Sequence, residues 1–320
     1  MKRILPSVDA RARALTIRHH SFVGEHDVAL DLARELVGLA DPTGYFALSS
    51  LGVALIASGD ADLGLTTMVS AHEACVKVHG VAHIAEIAGR VAIANRYRQA
   101  HYLGDAESWA QGAVAQLANV PQGAFTKDRK TQLLLLTSHA FTALGEIRWG
   151  QRNYSENFEY TLKAFHNLCW AGQPFNLAGY FRFARSRHAA GQLEMARRMV
   201  VRMVNDPFFR AEPKLVVVPP NPPPVRKVAE AMSAVAQGKT MPHQDVIRSW
   251  NRYHTRHHYD LETNFLQLAG DIFRDLSLPK QARNFYERAF RFAEHDNNAD
   301  STEAIHKRLL EFDRSSDNTP

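Results

Sequence analysis

The densest group of side chains able to bind a metal is the run His254–His258 (HTRHH), which is followed by Asp260. On a helix His254 and His258 would share one face, a spacing that suits two imidazole ligands of zinc. His257 adds a third imidazole to the run, but no glutamate lies between the histidines and spacing identifies no further ligand. The run therefore favours the basic end of a helix over a metal site, and we predict no metal and no cofactor.

Signatures of catalysis are missing from the sequence. The motif nearest to a phosphate loop, Gly238-Lys239-Thr240, lacks the upstream glycine and follows a helical pattern instead of a strand. The sequence contains no GxSxG elbow, no HExxH helix and no set of kinase motifs. We therefore predict that the chain is not an enzyme.

A cationic helix face is predicted around residue 185. Arg182, Arg185 and His188 follow one another at intervals of three, so they share one side of a helix. Guanidinium groups bind carboxylates and phosphates in bidentate geometry, which favours an acidic ligand. The alternative is that these side chains are solvated or pair with acidic neighbours. The net charge of the chain is +5, and residues 180–260 hold 14 Lys/Arg against 6 Asp/Glu.

The composition is that of a globular protein, with 320 residues of which 45% are hydrophobic and 22% charged. No apolar run reaches the roughly 18 residues of a membrane span, and none of signal-peptide length follows the basic N-terminus. We therefore predict a cytoplasmic protein with no membrane partner. Cys75 and Cys169 each lie in an apolar helical pattern, which favours buried thiols over a zinc or redox pair.

Helical segments of similar length recur along the chain. The clearest copy alternates small and large residues at Leu266, Gly270, Phe273, Ala282, Tyr286 and Ala289. Two further clear copies occupy 138–171 and 45–78, a half-kept copy occupies 10–42, and weaker copies lie at about 85–118 and 177–207. The spacing from Gly59 to Gly104 is 45 residues, so a longer helix or an insertion around 73–86 interrupts the period.

This pattern resembles the tetratricopeptide repeat, in which a Leu-Gly pair on the first helix is followed by Ala, an aromatic residue and Ala on the second. Leu144-Gly145 matches the pair, whereas Asn157 occupies a small-residue position and departs from the family pattern. The resemblance covers roughly two-thirds of the chain. It implies an all-α, right-handed α-solenoid of about five or six helix pairs, with a Pro-rich break and a C-terminal capping helix.

The expected division of the chain follows its prolines. Residues 1–206 are the N-terminal repeats, and 207–225, with seven prolines, are a linker or covering loop that includes one extended run, Leu215–Val218. Residues 226–314 are the C-terminal repeats and cap, with helices at 226–237 and 243–257, and 315–320 are a disordered tail. The capping helix is predicted from Ser301 to Arg314, with Ser301 as its N-cap.

The resemblance also implies where a partner binds, because the first helix of each pair lines the concave face in tetratricopeptide arrays. A chaperone-tail clamp is not expected, since Ser49, Val53 and Ala178 depart from its pattern. The partner-binding residues implied by the repeat positions are Arg98, His101, Tyr102, His139, Trp149, Phe181, Arg182, Arg185 and His188.

We therefore predict a non-catalytic scaffold or adaptor that binds a segment of a protein partner in a concave groove, with an acidic partner favoured. The alternative is an RNA-binding helical-repeat protein that uses the basic region 180–260, with Trp250, Tyr253 and Tyr259 available for stacking. Nucleic acid ranks below protein because the repeats show no recurring pair of base-reading positions. A second alternative is a peptide-sensing regulatory protein of the same fold.

Overall fold

The computed structural model describes residues 8–37, 44–120, 127–172, 177–207, 209, 212–213, 221–236, 243–254 and 259–316. These ranges contain fifteen helices and no strand. The helices are α1 (Val8–Val23), α2 (His26–Val37), α3 (Gly44–Ala57), α4 (Ala61–His79), α5 (Ile84–Gln99), α6 (Leu103–Ala118), α7 (Lys127–Gly150), α8 (Tyr154–Trp170), α9 (Leu177–Ala189), α10 (Leu193–Val204), α11 (Val225–Ala236), α12 (His243–Tyr253), α13 (Asp260–Asp275), α14 (Pro279–His295) and α15 (Ala299–Ser316).

Consecutive helices pack as hairpins, and the chain forms two compact units. Unit 1 comprises Met1–Gly123 and Val217–Thr255, and holds the pairs α1/α2, α3/α4, α5/α6 and α11/α12. Unit 2 comprises Ala124–Val216 and Arg256–Pro320, and holds α7/α8, α9/α10, α13/α14 and α15. The all-α class of helix pairs predicted from the sequence is confirmed.

The grouping of the helices differs from the sequential division that the prolines predict. Helix α11 packs against α1 as well as α12, because Val228, Ala229 and Trp250 share a buried cluster with Leu15. In unit 2 the array passes from α9/α10 directly to α13, which contacts both helices of that pair. Residues 226–253 therefore extend unit 1 from its first helix, and they are not part of the repeat array of unit 2.

Small residues set the distance between the helices of a pair. In α3/α4, a Cβ atom added to Gly52 would lie 2.8 Å from the carbonyl oxygen of Gly64, and one added to Gly64 would lie 2.7 Å from the carbonyl oxygen of Gly52. Because backbone atoms cannot move aside as a flexible side chain can, only glycine fits at both positions. In α13/α14 the ring of the buried Tyr286 packs on Gly270, so the space for a Cβ atom there is taken by a side chain.

Asn157 has a structural reason for its place at a small-residue position. Its Nδ2 donates a hydrogen bond of 2.6 Å to the carbonyl oxygen of Gly145 on α7, and its Oδ1 accepts one from Ser186 on α9. Asn157 is fully buried, so both polar ends of the amide need these partners. One side chain thus joins three helices of unit 2.

Each turn that the structure describes between the two helices of a pair uses a residue in the left-handed conformation. The glycines Gly59 and Gly191 have φ values of 98° and 72°. His101 and Arg152 occupy the same place at φ 66° and 60°, and the following amides, such as that of Tyr102, donate back to the last turn of the helix. The hydrogen bonds that these amides donate fix the end of the helix, and they force residues other than glycine into the left-handed region.

Several predicted boundaries shift. Helix α15 begins at Ala299, and its cap is Asn298, whose Oδ1 accepts the amide of Ser301, so Ser301 lies inside the helix. Helix α12 ends at Tyr253, not 257, and α15 continues to Ser316. The predicted extended run at 215–218, residues 255–258 and the tail at 317–320 lie outside the described residues.

The longer helix that the repeat spacing predicts is α4, with 19 residues. Cys75 on α4 is buried, and burial, assisted by the negative charge of Glu86, raises the pKa of its thiol to about 11. Cys169 is half-buried. Within the described ranges, no helix combines the length and the apolar character that crossing a membrane requires.

The glycine contact in α3/α4 generates a stability prediction. Replacing Gly52 by alanine should lower the free energy of unfolding by about 2 kcal/mol, because the added methyl group meets backbone atoms of α4. Gly104 on α6 is the matched control, since nothing lies within 4 Å of its added Cβ, and alanine there should be neutral or stabilise by up to about 1 kcal/mol. Urea unfolding of both variants measures the difference; equal effects would contradict the close-approach argument.

Candidate partner-binding sites

A network of two arginines and one glutamate lies on the first helices of unit 2. Glu146 of α7 accepts a hydrogen bond of 2.8 Å from Arg182 Nε. Arg185 Nη2 donates to both oxygens of the same carboxylate, at 2.8 and 2.9 Å. The two guanidinium groups that were predicted to bind an acidic partner are therefore already bound to an internal carboxylate.

Two aromatic rings contact the guanidinium group of Arg185. Its guanidinium carbon lies 4.1 Å from the ring centre of Trp149 and 5.3 Å from that of Phe181. Both distances fall within the range in which a cation is attracted to an aromatic face. The side chains of Arg182 and Arg185 remain 27% and 19% exposed, so the cluster is packed and still reaches the surface.

The electrostatics of this cluster centre on Glu146. Burial by itself raises the pKa of its carboxyl group, but the charges and hydrogen bonds of Arg185 and Arg182 outweigh burial and hold the pKa below its usual range. Glu146 is therefore ionised at neutral pH, and the three groups together carry one net positive charge. Partial burial, followed by the charge of Arg182, lowers the pKa of His139, so neutral pH adds no second positive charge there.

Helix positions explain why these residues meet. Glu146 and Trp149 are three residues apart on α7, and Arg182, Arg185 and His188 follow at the same interval on α9, as predicted. His188 continues the face toward α13, where its Nε2 lies 2.8 Å from Asp275 Oδ2. The structure thus brings six predicted residues to one side of unit 2: His139, Trp149, Phe181, Arg182, Arg185 and His188.

The other three predicted residues lie in unit 1 and do not form a comparable cluster. Arg98 is on α5, and its Nε is buried without a hydrogen-bond partner among the described residues. His101 and Tyr102 are not on the first helix as predicted, because α5 ends at Gln99 and both belong to the turn before α6. Tyr102 is exposed and donates a hydrogen bond of 3.0 Å to Asp62 on α4.

The sequence left open that these arginines pair with acidic neighbours, which is what the structure shows, but it did not identify Glu146 as the partner. Glu146 precedes Arg182 by 36 residues and Arg185 by 39. Residues separated by about one repeat lie side by side on neighbouring pairs, so an acid one repeat before a base is a candidate ion pair. A comparison of residues within one helix does not reveal a spacing of this length.

The histidine run is only partly described, because His257 and His258 lie outside the described residues. His254 contacts α1, where its Nε2 lies 2.9 Å from His19 Nδ1, while its own Nδ1 lies 2.9 Å from the carbonyl oxygen of Trp250. Burial is the largest cause of the lowered pKa values of both imidazoles. No group of three metal-binding side chains occurs within the described ranges.

The basic region 180–260 is less available to nucleic acid than the sequence analysis supposed. Two of the three aromatic residues named for base stacking are in the core, because Trp250 is 2% exposed and Tyr259 0%. Several arginines of the region pair with carboxylates, among them Arg197 with Glu194, at 2.6 Å. Stacking on Trp250 or Tyr259 is therefore excluded in this conformation.

No family model and no curated protein sequence matches the chain. Solved structures similar to it include the nearly identical TPR-like repeats of a putative kinesin light chain from Podosopora anserina (16% identity, 62% of this chain and 98% of that one, TM-score 0.43). A tetratricopeptide repeat protein from Parabacteroides merdae is 14% identical over 94% and 98% of the two chains, with a TM-score of 0.43. The apo form of RapI is 11% identical over 95% and 86%, with a TM-score of 0.49.

The helices described above define the chain as an all-α helical-repeat protein. Its helix pairs resemble tetratricopeptide repeats, with the close small-residue contacts between paired helices that the resemblance implies. At these identities and TM-scores the similar structures carry no argument about a ligand, so function has to be argued from the side chains of this chain.

The Glu146 network generates a pH-dependent stability prediction. Glu146→Gln should lower the free energy of unfolding by about 2 kcal/mol at pH 7, because two partly buried guanidinium groups lose their charged partner. A carboxyl group whose pKa is lowered by folding stabilises the protein above the pKa of the unfolded chain, about 4.3, and loses that contribution as the pH falls through the folded value. The difference between wild type and variant should therefore shrink between pH 6 and pH 3.

Denaturant unfolding at several pH values provides the measurement, and Glu194→Gln is the control. Glu194 also binds an arginine, Arg197, but its pair is exposed on α10. Its replacement should change stability little, since exposed ion pairs contribute little. A Glu146→Gln variant as stable as wild type at pH 7 would contradict the assignment of Glu146 as the internal partner.

Proposed function

We propose that the chain is a non-catalytic binding module that holds a segment of a partner protein on the α7–α9 face of unit 2. This face is defined by His139, Glu146, Trp149, Phe181, Arg182, Arg185 and His188. One observation carries the proposal: the guanidinium group of Arg185 contacts the rings of Trp149 and Phe181 and is bound to both oxygens of Glu146.

This arrangement supports binding because the side chains are ordered before a partner arrives. A free arginine or tryptophan loses rotamer freedom when it binds, at a cost of about 0.5–1.5 kcal/mol per side chain. The ion pairs and ring contacts of Arg185 meet that cost within the folded chain. Tryptophan and arginine are also the residue types that contribute most often to binding energy at protein interfaces.

The charges of the face indicate what kind of segment fits. Because Glu146 neutralises one of its two arginines, the face offers one net positive charge beside two aromatic rings. We infer a segment with an apolar or aromatic anchor and a single carboxylate, and not the strongly acidic segment that two unpaired arginines would select. Further along α9, the Nε2 of His188 lies 2.8 Å from Asp275 Oδ2, so this ring nitrogen already has a partner within the chain.

The same contacts argue against catalysis at this face. A general base has to accept a proton near neutral pH, whereas the pKa of Glu146 lies below its usual range and both its oxygens are hydrogen-bonded to arginine. The proposal therefore assigns no chemical step to the cluster.

Two tryptophans of unit 2 make a matched test. Peptides selected from a displayed random library against the purified chain should bind Trp149→Ala at least about thirtyfold more weakly, the equivalent of about 2 kcal/mol. Trp170, on α8 and 71% exposed, is the control, and Trp170→Ala should bind the same peptides with unchanged Kd. Fluorescence anisotropy of labelled peptides gives the values. Selected peptides that lose affinity for Trp170→Ala and retain it for Trp149→Ala would contradict the proposed face.

An RNA-binding assay with the same purified proteins distinguishes the RNA alternative from the proposed protein-binding function. Mixed-sequence single-stranded RNA should show no retention by the wild-type chain at about 150 mM salt, because arginines of the basic region pair with carboxylates and Trp250 is buried. Retention that decreases steeply as salt rises, and that survives Trp149→Ala, would favour RNA over a protein partner.

A further inference from the structure

A pocket lies within unit 1, between α1, α3 and α11. Its volume is about 240 Å³, and we call it the α1–α3–α11 pocket. Apolar side chains from all three helices form its walls, chiefly Ile17, Phe46, Val53 and Met232. At about 30 Å³ for each water molecule, this volume equals about eight waters, which is the size of a small ligand.

Two arginines of α1 also line this pocket. Arg11 is half-buried, and burial lowers the pKa of its guanidinium group. Arg18 lies seven residues, or two helical turns, further along and is exposed. One side of an apolar cavity is therefore positively charged.

Arg18 lies near a second guanidinium group, that of Arg96, and has no acidic partner among the described residues. Burial lowers the pKa of Arg96 on α5, and the charge of Arg18 lowers it further. The charge of Arg18 also contributes, after burial and His19, to the lowered pKa of His254. In unit 2 the carboxylate of Glu146 binds Arg182 and Arg185, whereas no described carboxylate binds Arg18.

A polar group beside the apolar wall completes the arrangement. The hydroxyl of Ser49 lines the pocket and makes no hydrogen bond within the described ranges. The neighbouring Ser50 donates to the carbonyl oxygen of Phe46 at 2.9 Å, so its proton is already used. Ser49 can therefore donate to an oxygen that enters beside Arg18.

We propose that the α1–α3–α11 pocket binds a small aliphatic carboxylate of about eight to ten non-hydrogen atoms, with its head at Arg18 and Ser49 and its chain against Val53 and Met232. A carboxylate fits because guanidinium binds it through two parallel hydrogen bonds. An aliphatic body fits because the inner walls offer no unpaired donor apart from Ser49 within the described ranges. This site does not depend on the partner segment proposed for unit 2.

The class of ligand follows from the walls and the charge together. A phosphate or sulfate without an apolar body would leave the inner walls empty, and an uncharged alcohol would leave Arg18 near Arg96 without a counter-charge. Both halves of the ligand are needed for selective binding. Met232 belongs to α11, the helix that returns to pack on α1, so the pocket exists only where that helix is docked.

Isothermal titration calorimetry of the full chain tests the proposal with octanoate as the probe. Octanoate should bind one site with a Kd on the order of 0.1–1 mM, whereas acetate and 1-octanol should bind at least tenfold more weakly. Arg18→Gln should weaken octanoate binding at least tenfold. Arg13→Gln is the matched control, since Arg13 is exposed on the same helix, outside the pocket lining, and should leave the Kd unchanged.

Filling the cavity tests the apolar half of the site. Val53→Phe should abolish octanoate binding, and Met232→Phe closes the same space from the opposite wall if the first variant does not fold. No heat of binding for wild type at about 10 mM octanoate would overturn the proposal. Octanoate binding that survives both Arg18→Gln and the filled cavity would also overturn the proposal. So would binding that is lost with the filled cavity and retained with Arg18→Gln, because the site would then be an apolar cleft without selection for anions.

Discussion

The close approach of paired helices is the constraint on which the rest of the structure depends. At Gly52 and Gly64 two backbones pass at a distance that excludes even a methyl group. This contact fixes how far α3 stands from α4, and therefore where the outer side of α3 presents its residues. Ala106, Ala110 and Ala113, all fully buried, give α6 the same small-residue face within the next pair. The small residues at the helix contacts therefore determine where the larger side chains that can bind a partner are placed.

The alternation of small and large residues made the helix pairs predictable from the sequence, because packing at one repeat distance leaves few residue types possible. The turns were less predictable, since His101 and Arg152 adopt the left-handed conformation that Gly59 and Gly191 adopt at the equivalent positions. There the hydrogen bonds that end the helix dictate the backbone, and residue type is secondary. Recurring glycines therefore mark the repeat spacing at Gly104, which lies inside α6, whereas the left-handed residue of that turn is His101.

Contacts between neighbouring helix pairs were the second feature that could not be predicted from the sequence. The arginines on α9 were correctly placed on one face, but their partner lies on α7, and finding it requires the lateral offset between neighbouring pairs. Docking of α11 on α1 was equally hidden, because Trp250 and Val228 form an ordinary apolar pattern that any neighbouring helix could cover. Local patterns specify which face is buried; they do not specify which partner buries it.

The two proposed sites differ because equivalent helices carry different charges. On the α7–α9 face a ligand carboxylate has to compete with Glu146, whose oxygens already accept three hydrogen bonds from arginine. In the α1–α3–α11 pocket no described carboxylate stands beside Arg18, so an entering anion gains attraction without displacing one. Aromatic contact should therefore dominate recognition in unit 2, whereas charge and apolar contact should both be required in unit 1. The same repeat geometry supports both, since the fold fixes positions and the residue types at those positions decide the chemistry.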